Sequence, residues 1–146
     1  MYRSKPEKFS NSWLHPWTVS GLWLALTLGL SVYDLRRKKI SKWFDVILFG
    51  VPGVLGILLL LLWTATDHKA AANNFNILWA LPTHLLVFFI GVKKSARFLN
   101  KYFLGVMILT ALLLVSWFSL PQQLNIFLIP FVAAVMCRAF VIFRLL

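Results

Sequence analysis

The polar residues with the clearest chemical potential form a short motif between two apolar stretches. Asp67 and His68 close the first stretch, and Asn74, Asn76 and Trp79 lie at the start of the next. A carboxylate that orients an imidazole is the arrangement of a general base, but no serine or cysteine in this loop is placed to be activated. Adjacent residues of a helix also point about 100° apart. We therefore predict no catalytic residue in this motif.

Two other interpretations of the motif remain open. Asn73, Asn74 or Asn76 could each cap the following helix, because an asparagine side-chain oxygen accepts the free N–H groups of a helix start. Asn76, Trp79 and Thr83 would then share one helical face. Alternatively, the motif lies at the outer headgroup level and contacts a lipid or a partner domain.

Four ionisable residues are predicted inside or beside apolar stretches, where an uncompensated charge is costly. Asp45 is expected to pair with Lys42 three residues earlier, and contact with another span is the alternative. Asp34 is predicted to form a solvated ion pair with the basic residues that follow it. Arg138 is expected to extend towards the headgroups. His84 is expected to hydrogen-bond a neighbouring helix, with acyl-donor binding or proton transfer as alternatives.

The elements that position these residues are predicted to lie in a membrane. Of the 146 residues, 60% are hydrophobic and 13% are charged, and the mean hydropathy is +0.81. A soluble chain of this size cannot bury so much apolar surface, which excludes a soluble enzyme, a disulfide scaffold and a disordered tail. The net charge of +11 is typical of basic loops in membrane proteins, and we expect no nucleic-acid partner.

The hydropathy pattern predicts an all-α, integral membrane bundle of five transmembrane helices. The predicted spans follow a polar, basic tail (residues 1–15) and cover about residues 16–33, 43–66, 76–92, 102–120 and 124–143. Pro16 is well placed to open the first helix. The third stretch is short and contains Pro82, so we expect it to tilt little, to thin the bilayer or to lie partly buried. Glycines at positions 50, 53 and 56 predict the close approach of another helix.

The distribution of basic residues predicts the orientation. Eleven of the 15 Lys and Arg residues fall on one side of the predicted membrane, at positions 36, 37, 38, 39, 42, 93, 94, 97, 101, 138 and 144. That side is predicted to be cytoplasmic, with the N-terminus outside and the C-terminus inside. Aromatic residues are expected at the interfaces: Tyr33, Trp43 and Tyr102 inside, and Trp13, Trp17, Trp63, Trp79 and Trp117 outside. The basic tail has no apolar signal region, so we expect it to follow a segment that is already outside.

Several sequence features resemble one known family. They are Phe44-Asp45, the glycines at 53 and 56, the run from Trp63 to His68, the run from Asn74 to Trp79, and Leu81-Pro82. Together they resemble the membrane-spanning C-terminal region of the Lnb family, the lipoprotein N-acyltransferases of Bacteroidota. In that family a large periplasmic domain with a papain-like Cys–His site precedes the membrane helices. It transfers an acyl chain from a phospholipid to the amino group of a lipoprotein's N-terminal cysteine.

The resemblance implies a membrane module of a lipoprotein-acylating system in the bacterial inner membrane. The partners it implies are phospholipid and a periplasmic catalytic domain; no catalytic residue carries over, because this sequence does not contain the papain-like domain. The residues that match the outer-loop motif are Asp67, His68, Asn74, Asn76 and Trp79. The alternative function is a non-catalytic structural subunit of a larger inner-membrane complex. We expect no metal and no other cofactor.

Overall fold

The computed structural model describes residues 15–65 and 74–146, which are helical apart from short connections. The four long helices are α1 (Pro16–Arg37), α2 (Lys42–Ala65), α3 (Ala96–Val115) and α4 (Ile129–Leu145). With the short helical turns that precede α3 and α4, all four are long and apolar enough to cross a membrane. A shorter apolar stretch, Phe75–Phe89, lies between α2 and α3 and is called the short segment below. The predicted class, an all-α membrane bundle, is confirmed, and the orientation stays a prediction.

Local signals in the sequence account for both ends of α1. Pro16 is its first residue, as predicted, and the Nδ1 atom of His15 accepts the N–H of Trp17 at 3.3 Å. The helix ends at Arg37 and is capped by Lys38, whose backbone is left-handed (φ 51°) and whose N–H donates to the carbonyl of Asp34. After a four-residue connection, the carbonyl of Ser41 accepts the N–H groups at the start of α2. The α1–α2 connection is therefore a tight turn held by backbone hydrogen bonds at both of its ends.

The short segment is wound as 3₁₀ helix rather than α-helix. It consists of Phe75–Leu78 and Pro82–Phe89, with a break between them. Asn74 caps the first piece by accepting the N–H of Asn76 at 3.0 Å, so Asn74 is the capping residue among the three proposed. Because a 3₁₀ helix rises about 2.0 Å per residue and an α-helix about 1.5 Å, the eight residues from Pro82 cover about 16 Å instead of about 12 Å. This winding lengthens a span that is short in residues.

The glycines of α2 let the short segment approach closely, as predicted. A Cβ atom added at Gly53 would lie 3.0 Å from the side chain of Leu85, and one added at Gly56 would lie 2.0 Å from the carbonyl oxygen of Ala80. Small residues at such crossings allow tight packing where the lipid offers no hydrophobic drive. The other main contacts place α4 between α1 and α3.

Two buried clusters form the core of the bundle. The larger joins α2, the short segment, α3 and α4 through residues that include Phe49, Val87, Phe103 and Val135. The smaller surrounds Trp79 and Trp117, and it also contains Ala80, Leu113, Leu124 and Val132. Both tryptophans are buried, so their rings pack in the core of the bundle. The prediction that they lie at the level of the outer interface stays a prediction.

Candidate functional site

Three residues of the predicted outer-loop motif bind one another. The Oδ1 atom of Asn74 accepts from the backbone N–H of Asn76 at 3.0 Å and from its side-chain amide at 2.9 Å. The Oδ1 atom of Asn76 in turn accepts the indole N–H of Trp79 at 3.0 Å. The backbone N–H of Phe75 donates to the side-chain oxygen of Gln122 at 2.7 Å, which joins this turn to the α3–α4 connection.

His84 continues this set of contacts to α3. Its side chain is fully buried, with Nε2 3.0 Å from the carbonyl oxygen of Trp79 and Nδ1 2.8 Å from the hydroxyl of Tyr102. A carbonyl only accepts, so Nε2 donates, and in the neutral imidazole Nδ1 then accepts the Tyr102 proton. The Tyr102 oxygen is also 3.1 Å from the hydroxyl of Thr83. Tyr102 thus turns its hydroxyl to the short segment rather than to an interface.

We call Asn74, Asn76, Trp79, Thr83, His84 and Tyr102 the polar network. Both ring nitrogens of His84 and the indole N–H of Trp79 have partners inside it. The network consists of amide, hydroxyl, imidazole and indole groups that bond to one another. Among residues 15–65 and 74–146, no cluster of three or more His, Cys, Asp or Glu could hold a metal ion. Asp67 and His68 lie outside the described residues, and their role stays a prediction.

Replacing Tyr102 by phenylalanine is expected to destabilise the bundle modestly. The change removes the hydroxyl that joins His84 and Thr83 to α3, and side-chain hydrogen bonds between membrane helices average about 0.6 kcal/mol and reach about 1.7 kcal/mol. The free energy of unfolding is measured by titrating the detergent-solubilised protein with dodecyl sulfate. It should decrease by an amount within that range. The control is Tyr33→Phe, because the hydroxyl of Tyr33 accepts a hydrogen bond from Arg37 at an exposed position. If both changes lowered the free energy of unfolding equally, the polar network would not be what Tyr102 stabilises.

A second polar site is built around the guanidinium of Arg138. Its Nε and Nη2 atoms donate to the two carboxylate oxygens of Asp45, each at 2.7 Å, and Nη2 also donates to Asp34 at 2.8 Å. All three side chains are buried. The hydroxyl and N–H of Ser41 donate to Asp34 at 2.7 and 2.8 Å. We call Arg138, Asp34 and Asp45 the ionic triad; it joins α1, α2 and α4.

The ionic triad corrects three predictions. Asp34 is not solvated, because it lies inside the turn and binds Ser41 and Arg138. Arg138 is not a solvent-exposed cation, because its side chain is fully buried and its guanidinium lies 5.6 Å from the centre of the Phe44 ring. Asp45 pairs with Arg138 rather than with Lys42, which is the alternative that the sequence left open. The physical reason is shared: the tight α1–α2 turn brings both carboxylates to the level of Arg138, and pairing offsets part of the cost of burying the three charges.

A signal for the ionic triad is present in the sequence. Arg138 is followed by five apolar residues, 139–143, and lies seven residues before the end of α4. That depth, about 10 Å at the rise of an α-helix, is too great for a residue at a helix end. Asp34 and Asp45 are also the two acidic residues in the part of the chain that the structure describes, which makes them the partners available there for a buried cation.

Four helices of membrane length, a short apolar segment and a buried ionic triad define a multi-pass helical membrane domain. The chain matches the family model described as the Lnb transmembrane domain over residues 8–146, and it belongs to that family. The resemblance drawn from the Asp45–Pro82 region is thus confirmed over nearly the whole chain. No curated protein and no solved structure matches it.

Proposed function

We propose that this membrane domain works in lipoprotein N-acylation, where it holds a papain-like catalytic domain at the outer surface of the bacterial inner membrane. Membership of the Lnb transmembrane domain family is the observation that carries the proposal. The domain supplies membrane-spanning helices, whereas acyl transfer in this family is assigned to the papain-like periplasmic domain. The contribution of the membrane domain is therefore to position the catalytic domain next to the phospholipid that supplies the acyl chain.

The polar network supports a docking or lipid-facing role for the outer-loop motif. Asn74 and Asn76 are half-buried, so part of each side chain stays accessible while their mutual hydrogen bonds hold them in place. Gln122 fixes the same turn to the next connection on that side of the bundle. A surface that is already ordered binds a partner with a smaller entropic cost than a mobile loop does. His68, which precedes these asparagines in the motif, is proposed to share this surface.

The test is acylation in proteoliposomes that contain this chain, a papain-like catalytic domain of an Lnb protein and a lipopeptide with a free N-terminal cysteine. Asn76→Ala and His68→Ala are each expected to slow acylation of the lipopeptide, measured as the increase of its mass by one acyl chain, by about tenfold. This is the change that about 1.4 kcal/mol of binding free energy produces. The matched control is Gln123→Ala, because Gln123 is an exposed polar residue of the other connection on the same side.

The outcomes separate the two functions that the sequence left open. Slow acylation with normal yield and normal unfolding supports the proposal. Unchanged acylation at normal yield contradicts it. Loss of yield or of a co-purifying membrane complex, with acylation per folded molecule unchanged, would indicate the non-catalytic structural subunit instead.

A further inference from the structure

A cavity with both charged and apolar residues in its wall lies at the α1–α2 turn, away from the polar network. It has a volume of about 580 Å³ and lies between the last turn of α1, the connection and the first turn of α2. Its wall includes three exposed basic residues, Arg37, Lys39 and Lys42. The proposed acylation function does not use this cavity. The distribution of basic residues predicts that the cavity lies on the cytoplasmic side of the membrane.

The charge of the cavity is not neutralised from within. Asp34 is the one acidic residue in its wall, and both of its carboxylate oxygens are engaged by Ser41 and Arg138. In the described ranges Asp34 and Asp45 both pair with the one guanidinium of Arg138, so the ionic triad leaves one negative charge against the three cations of the cavity. The cavity therefore favours an anionic ligand.

One of the cations is already oriented. The guanidinium of Arg37 donates to the hydroxyl of Tyr33 and lies 5.0 Å from the centre of that ring. Stacking on an aromatic face fixes the plane of the guanidinium, and its remaining N–H groups keep the fork geometry that suits phosphate oxygens. Lys39 and Lys42 supply two further positive charges in the cavity wall.

The depth and the remaining wall of the cavity indicate a lipid. The 22 residues of α1 extend about 33 Å, slightly more than the hydrocarbon core of about 30 Å, so the last turn of α1 lies at headgroup level. Trp43, in the cavity wall, is 83% exposed, as suits a ring at the membrane interface. Leu30, Ile40 and Phe44 form an apolar wall that suits the glycerol and upper acyl carbons of an amphiphile.

We infer that the cavity at the α1–α2 turn binds the phosphate of an anionic phospholipid headgroup. Arg37 and the two lysines contact the phosphate oxygens, and the apolar wall contacts the lipid below them. Basic residues next to a membrane helix attract anionic lipids in general; the cavity adds a defined place for one lipid molecule. Inorganic phosphate shares the ligand chemistry but lacks the apolar part.

The test is native mass spectrometry of the detergent-purified chain with phosphatidylglycerol or phosphatidylcholine at equal concentration. Phosphatidylglycerol is expected to be retained about tenfold more than phosphatidylcholine, and the combined change Arg37→Gln, Lys39→Gln and Lys42→Gln should abolish the preference. The matched control changes Lys93, Lys94 and Arg97 to Gln, because these three exposed cations lie on the same predicted side but outside the cavity. The control should keep the preference.

Three results would overturn the inference. An equal loss in the control variant would indicate diffuse attraction to a basic surface. An equal retention of the two lipids, which both carry a phosphate, would exclude selection of an anionic headgroup. Displacement of the lipid by an excess of inorganic phosphate would indicate a free phosphate site. Lys39→Gln with Lys42→Gln, which leaves the Arg37–Tyr33 contact intact, is the second variant; it should lose most of the preference with an unchanged unfolding midpoint.

Discussion

Replacing Arg138 by methionine is expected to cause the largest loss of stability of any single change in this chain. It leaves Asp34 and Asp45 buried without the guanidinium that both of them bind. Removing one partner of a buried ion pair costs about 3–5 kcal/mol, because a buried charge stays uncompensated. The free energy of unfolding in dodecyl sulfate titrations should fall by that amount, and the yield of folded protein should fall with it.

Two further variants show whether uncompensated charge is the cause. Arg144→Met removes a cation from the exposed end of the same helix and should change the unfolding midpoint little. Combining Arg138→Met with Asp34→Asn and Asp45→Asn removes all three charges, and it should recover part of the lost stability, since apolar or neutral replacements of buried ion pairs are often tolerated. If the combined variant were less stable than Arg138→Met, the explanation by buried charge would be wrong.

Replacing Gly56 by alanine is expected to have the second largest effect. The added methyl would lie 2.0 Å from the carbonyl oxygen of Ala80 and 2.8 Å from the nitrogen of Pro82. These are backbone atoms, so the short segment must move away from α2, and overpacking of this kind costs about 1–3 kcal/mol and occasionally more. The unfolding midpoint should fall accordingly.

Gly105→Ala is the matched control for Gly56→Ala. Gly105 lies in the middle of α3, and an added Cβ atom would meet nothing within 4 Å. Because glycine inside a helix is about 0.5–1 kcal/mol less favourable than alanine, this variant should be equal to or slightly more stable than the unchanged protein. A similar loss in both variants would show that helix flexibility, not the contact with Ala80, makes Gly56 necessary.

The predictable part of the structure is the part that depends on local chemistry and on the lipid. Backbone groups inside a bilayer must be bonded within their own segment, so long apolar runs can be assigned as helices without knowledge of their neighbours. The helix start at Pro16, the cap at Asn74 and the close packing of Gly53 and Gly56 depend on residue types that act over one or two turns. These features were predicted correctly.

The features that sequence reasoning missed depend on distant residues. Arg138 lies 104 residues from Asp34 and 93 from Asp45, and no local pattern relates them. Near a predicted helix end, the cheaper solution for each charge alone is contact with water, which is why a solvated pair and an extended arginine were predicted. The 3₁₀ winding of Pro82–Phe89 was likewise not predicted, since the apolar pattern of this stretch was interpreted as a membrane span. Of the candidate site residues, Asn74, Asn76, Trp79 and His84 meet in one network, whereas Asp45 belongs to the ionic triad.

The ionic triad has a consequence for biogenesis. Ribosomes deliver α1 and α2 to the membrane long before α4, so Asp34 and Asp45 are inserted while their shared counter-ion has yet to be synthesised. During that interval each carboxylate must stay near water or a proton, because a charged aspartate within lipid is costly. Insertion of α4 ends the interval by supplying one guanidinium to both. Arrival of this helix therefore completes the pairing that joins α1, α2 and α4.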